Sequence, residues 1–168
     1  MKILLRPVDL KDGRTIVNWR NNPLVREHCR NHSTITEKEN ELFYHNYVET
    51  GKYKQYMVER LDEDYGVFSY AIATIYLKDI DYVTKSAELC LFTSNDKEWN
   101  IESQTLAIKR ILEISFTELK LKTVYSYTFK KFIKEAEVLS SFGFSMDSTY
   151  NNDDMVKFTL NCEKWTNK

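Results

Sequence analysis

Asn100 to Thr105 stand where a short polar stretch, TSNDKEWNIES, gives way to a long amphipathic run, and that placement suits anion binding. Backbone N–H groups at a helix start lack intrahelical partners, and phosphates or carboxylates bind them. Arg20 and Asn21 form a second candidate group. A guanidinium and a carboxamide side by side before the Asn22-Pro23 turn suit a polar substrate, and they equally suit solvated surface. Trp19, beside them, is either a core anchor or the lining of a substrate cleft. His28 and His32, with Cys29 between, have the i, i+4 spacing at which two imidazoles share a helical face and bind metal. No helix is evident through Arg30, Asn31 and Ser33 and no further ligand cluster follows, so no metal is expected. His45 reads as a surface or packing residue of a helix. Cys29, Cys90 and Cys162 are odd in number, far apart and without C-x-x-C spacing, the pattern of reduced intracellular thiols. Cys90, inside the apolar run AELCLF, reads as a small core residue.

The elements that must position these groups follow from hydrophobic period. Ala87–Phe92 and Val124–Phe129 are short and rich in Leu, Phe, Tyr, Val and Thr, which is strand chemistry. Between them Ile108, Ile111, Leu112, Ser115 and Leu119 recur at helical spacing. Strand, helix, strand is a parallel crossover that sets the helix start at the carboxyl end of the first strand. Upstream, Ile3–Leu5 is a first strand stopped by Pro7, and Asp12 or Thr15 caps a helix through Arg20. Thr36 and Glu39 make a capping box for a second helix ended by Gly51. Tyr53–Glu59, the long run 66–76 and Ala87–Phe92 form an antiparallel meander. A helix from about Phe132 to Phe142, stopped by Gly143, precedes a closing hairpin of 144–150 and 155–160.

The chain has 168 residues, 42% of them hydrophobic, enough for one well-filled core, so a single domain over 1–168 is expected. A net charge of −1 supplies no field to draw the chain to nucleic acid or an anionic membrane. With no apolar run near membrane-spanning length and no signal segment, a cytoplasmic protein is expected, and homodimer formation stays open.

In this order and spacing the chain resembles the GNAT superfamily of acyl-CoA-dependent N-acyltransferases, in the branch acting on ribosomal-protein N-termini and sugar amines. LRPVDLKD, NWRNNPLVRE, IDYVTKSAELCLF, TLAIKRILEISFTEL, TVYSYTF and FGF carry the resemblance over most of the chain. It implies a mixed α+β sheet of about seven strands with four helices, splayed between the two crossover strands so that acetyl-CoA enters the gap. Backbone groups of Leu91, Phe92 and Thr93 would hold the pantetheine and acyl carbonyl. The pyrophosphate would lie on the helix start at Asn100, Ile101, Glu102, Ser103, Gln104 and Thr105, with Lys97 and Lys131 nearby. Trp19, Arg20 and Asn21 would border the acceptor amine of a small molecule, sugar or protein N-terminus.

Two departures from the family pattern stand out. The R/Q-x-x-G-x-G/A loop reads Lys97-Glu98-Trp99-Asn100-Ile101-Glu102, with both glycines replaced and a carboxylate where phosphate would lie. The tyrosine that serves relatives as acid toward the thiolate is matched by Leu139, and an asparagine by Phe132, neither of which hydrogen-bonds through its side chain. Tyr125, Tyr127 or Glu88 are the available substitutes for the acid, with Glu88 also the candidate base. Two functions remain open at this point: an N-acetyltransferase working by approximation and oxyanion stabilisation, or a GNAT-fold binding module that has lost its donor site.

Overall fold

The computed structural model describes residues 2–62, 68–94 and 99–165. Lys97, the first half of the altered glycine loop and the turn expected at 62–64 lie wholly or partly outside them. Among the described residues seven strands form one sheet in the order β1-β2-β3-β4-β5-β7-β6. They are β1 (Lys2–Pro7), β2 (Lys54–Asp62), β3 (Phe68–Asp81), β4 (Ser86–Thr93), β5 (Thr123–Phe129), β6 (Ser145–Met146) and β7 (Met155–Asn161). The helices are α1 (Gly13–Asn21), α2 (Pro23–Arg26), α3 (Glu37–Phe43), α4 (Ile101–Glu113) and α5 (Ile133–Ser141).

Among the described residues five helices stand where four were expected, because the Asn22-Pro23 pair both ends α1 and starts α2. Asn22 accepts the Leu24 amide at 3.0 Å and Pro23 occupies the first helical turn, where its missing N–H costs nothing. The α3 box forms as its sequence predicts: Glu39 donates its amide to Thr36 Oγ1, and Glu39 Oε2 accepts the Thr36 amide at 2.7 Å. Asp12 holds the cap position of α1 without a capping bond, since its carboxylate is taken by Arg6 at 2.8 Å. The first arm of the closing hairpin shrinks to two residues: Asp147 turns the chain by accepting the Thr149 amide, and β6 is the sheet edge. β3 runs on to Asp81, longer than its apolar pattern suggested, because Lys78 and Asp81 still pair with β4.

In β5, Val124, Ser126 and Thr128 are buried, with Tyr125, Tyr127 and Phe129 on the other face, which is period-two alternation. In α4, Ser103, Ala107, Ile108, Ile111 and Leu112 form the buried stripe, and the four apolar ones join the main core with Val58, Ile75, Leu77 and Leu160. The crossover is as the sequence predicts, β4 and β5 parallel with α4 between. They pair only at Ser86/Thr123, Ala87/Val124 and Glu88/Tyr125. Beyond that point β4 stays with β3 as far as Thr93, while β5 stays with β7 as far as Phe129. The sheet therefore forks. Ser126 Oγ donates to the Leu89 carbonyl at 2.9 Å, satisfying an acceptor that the broken ladder would leave bare.

Candidate active site

The fork opens onto two cavities, of about 250 Å³ and about 490 Å³. The smaller reaches the inner ends of β4 and β5 and is bordered by Arg20, Arg30, Lys78, Glu88 and Tyr127. The larger lies between Leu91–Thr93 and the start of α5, with Trp99, Lys131 and Lys134 in its wall. Residues 28–31, in the chain after α2, border the smaller cavity.

Glu88 is 4% exposed, an expensive place for a carboxylate. Arg30 compensates it: its guanidinium donates to Glu88 Oε1 and lies 4.6 Å from the centre of the Tyr127 ring. Lys78 Nζ is 3.9 Å from Oε2, and Cys90 Sγ donates to Oε1 at 3.2 Å. Burial, reinforced by the Glu88 carboxylate, pushes the Cys90 thiol well above its ordinary range, so Cys90 remains a thiol. Tyr127 meets Tyr125 and Tyr150 edge-on, with ring centres 5.9 and 5.1 Å away.

A second cluster sits where the cavities adjoin. His28 stacks on Phe132 with centroids 3.8 Å apart and planes inclined by 16°. Its Nδ1 lies 2.7 Å from Glu135 Oε1, and Thr128 Oγ1 donates to Glu135 Oε2 at 2.7 Å. Lys131 Nζ is 3.7 Å from Glu27 and 4.7 Å from the Phe132 ring centre.

The residues expected to border an acceptor divide. Arg20 lines the smaller cavity: one terminal nitrogen donates to the Asn31 carbonyl, and Nη1 is buried without a hydrogen-bond partner among the described residues. Asn21 spends both ends of its carboxamide on Ile35, Nδ2 donating to the carbonyl at 2.7 Å and Oδ1 accepting the amide at 2.8 Å. Trp19 packs against the small core of Val8, Ile16, Val25, Met57 and Phe92. At the start of α4, Asn100 is extended and caps the helix, its Oδ1 accepting the Ser103 amide at 3.0 Å. Ile101 and Glu102 are exposed, Ser103 is buried, Thr105 is half-buried and Gln104 lines both cavities. Sequence reasoning weighed His28 only as a metal ligand and passed over Arg30, Lys78 and Glu135. Their one local signal is Glu88, a charged residue inside a strand otherwise apolar enough to be core.

A family model described as an acetyltransferase (GNAT) domain matches residues 2–145. No match is found among curated proteins. Among solved structures, spermidine N-acetyltransferase from Vibrio cholerae in complex with CoA and spermine superposes with a TM-score of 0.82 at 20% identity, covering 96% of each chain. A chimera of the Vibrio cholerae enzyme with hSSAT gives 0.81 at 21% identity over 98% of each. At these identities the likeness establishes the shared fold.

Proposed function

The chain belongs to the GNAT acetyltransferase family, and from that premise we propose that it transfers the acetyl group of acetyl-CoA to the primary amine of a small molecule, the donor lying in the larger cavity and the acceptor in the smaller. The observation that carries this reading is the fork, since β4 and β5 part after Glu88/Tyr125 and open onto the α4 start. The larger cavity has the size and the mixed apolar and basic lining of a ligand site. Backbone groups of Leu91–Thr93 would hold the pantetheine arm and acyl carbonyl, and Asn100–Thr105 with Lys131 the pyrophosphate. On the acceptor side Arg20 and Tyr127 are placed to orient the amine, while Glu88, compensated by Arg30 and Lys78, fixes those two cations in the cavity wall.

The spermine-bound neighbour shows that this fold accommodates polyamines. Here the acceptor cavity offers Arg20, Arg30 and Lys78 against Glu88 and Glu135, both already engaged, which opposes a polycation. We therefore favour an acceptor with one ammonium group and neutral or anionic substituents, sugar amines among them. Three free thiols fit a reducing compartment, and we place the enzyme in the cytoplasm.

Unfolding with and without acetyl-CoA tests the donor half. At about 100 times the dissociation constant, binding adds ~2.7 kcal/mol, which for a chain of this size raises Tm by roughly 5–11 °C. An unchanged Tm at millimolar acetyl-CoA would instead support the binding module that the altered loop suggests. Asn100→Gly sharpens the experiment. It releases the Ser103 amide from the cap at a cost of only a few tenths of a kcal/mol, as glycine is itself a tolerated cap. The expected result is severalfold tighter acetyl-CoA by calorimetry with Tm nearly unchanged, and weaker binding would show that the capped conformation is the one the donor needs.

A further inference from the structure

We propose that His28 is the proton carrier of the transfer, positioned by Glu135 and Thr128. This rests on the placement of donor and acceptor above. Five residues line both cavities: His28, Leu91, Phe92, Gln104 and Glu135. Donor and acceptor must meet along that shared wall, and of the five only His28 and Glu135 have side chains that act as acid or base.

The two are not equivalent. Glu135 has Oε1 on the imidazole and Oε2 on the Thr128 hydroxyl, so its carboxylate is held from two sides. A carboxylate at Nδ1 fixes the tautomer that carries hydrogen there and leaves the Nε2 lone pair available. Nε2 makes no hydrogen bond among the described residues, and Glu27 Oε1 lies 3.9 Å from it. Stacking on Phe132 fixes the plane of the ring. An oriented imidazole with one nitrogen anchored and the other open at a two-substrate junction is a proton-transfer device. Leu139, one helical turn beyond Glu135 on α5, lines the acceptor cavity and cannot donate a proton.

The acceptor enters as the free amine. Its nitrogen forms the C–N bond to the acyl carbon while its proton passes to His28 Nε2. As the C–S bond breaks, that proton passes from Nε2 to the departing sulfur. His28 ends as it began, and the products are an amide and a thiol. The charged and titratable groups around the ring include Arg26, Glu27, Cys29, Arg30 and His32 on its own segment, Lys130, Lys131, Lys134, Glu135 and Glu137 at and before α5, and Tyr127 on β5.

His28→Gln and Glu135→Gln, assayed for acetyl transfer across pH, decide the matter. For His28→Gln the expectation is a fall in kcat of about 10²-fold or more, an acetyl-CoA KM within about threefold of wild type, and loss of the acidic limb of the kcat/KM profile. The acetyl-CoA Tm shift should persist and show that the variant is folded with its donor site intact. Glu135→Gln, a positioning change, should lower kcat about tenfold with the same KM. A kcat for His28→Gln within threefold of wild type, or an acidic limb that survives, overturns the assignment while leaving the transferase reading standing. Wild type that transfers no acetyl group to any amine sinks that reading first.

Discussion

Replacing Arg30 by methionine is expected to destabilise the protein by about 2–4 kcal/mol, and adding Glu88→Gln to that variant is expected to recover most of the loss. Glu88 is almost wholly buried, whereas its partner's side chain is 41% exposed, so the two halves of the pair are not interchangeable. Removing the exposed member strands a carboxylate in a region of low polarisability. Lys78, at 3.9 Å, compensates part of that charge and keeps the cost at the low end of the range for broken buried pairs. Once Gln stands at 88 no charge needs a partner, and methionine fills the volume of the arginine stem over Tyr127. Urea unfolding of the two single variants and the double variant gives the coupling directly. A single-variant loss under about 0.5 kcal/mol would place the pair with ordinary solvated ion pairs. The same experiment bears on the site, because Arg30 ties residues 27–32, and with them His28, to the floor of the fork.

What the sequence disclosed and what it hid follow from the range of each interaction. Apolar period is a local signal, so β4, α4 and β5 could be read from Ala87 to Phe129, and the Thr36/Glu39 box from four residues. The forked sheet came from resemblance alone, since a strand that leaves its neighbour after three pairs is spelled no differently from one that stays. The active-site contacts are the least local features of the molecule. Arg30 meets Glu88 across 58 positions and His28 meets Glu135 across 107. No spacing rule reaches that far. Asn21 looked like a substrate ligand because a carboxamide before a proline turn is chemically apt, yet both its ends are committed to Ile35, fourteen residues on. Asn100 was legible as either a left-handed residue or a cap, and the structure uses the cap.

Leu112→Ala is expected to cost about 2–5 kcal/mol, a large share of the total stability of a domain. Leu112 is fully buried in the cluster where α4 meets the sheet, between Ile108 and Ile111 on the helix and Val58, Ile75 and Leu160 on the strands. Part of the loss is transfer free energy and part is the cavity, which the close-packed side chains of the cluster only partly refill. Val83→Ala provides the contrast: at 93% exposure it should change stability by under about 0.5 kcal/mol. At 2–4 °C per kcal/mol, Tm of the core variant should fall by roughly 10 °C. The consequence for function is separable. Leu112 lies eleven residues from the start of α4, roughly 17 Å at the helical rise. A cavity there weakens the global fold without touching Asn100 or Ser103. Acetyl-CoA affinity measured well below Tm should therefore match wild type within about twofold, two sites this far apart being additive. Affinity that falls in step with stability would mean that α4 moves as one rigid rod, carrying its first turn away from the fork whenever its middle loosens.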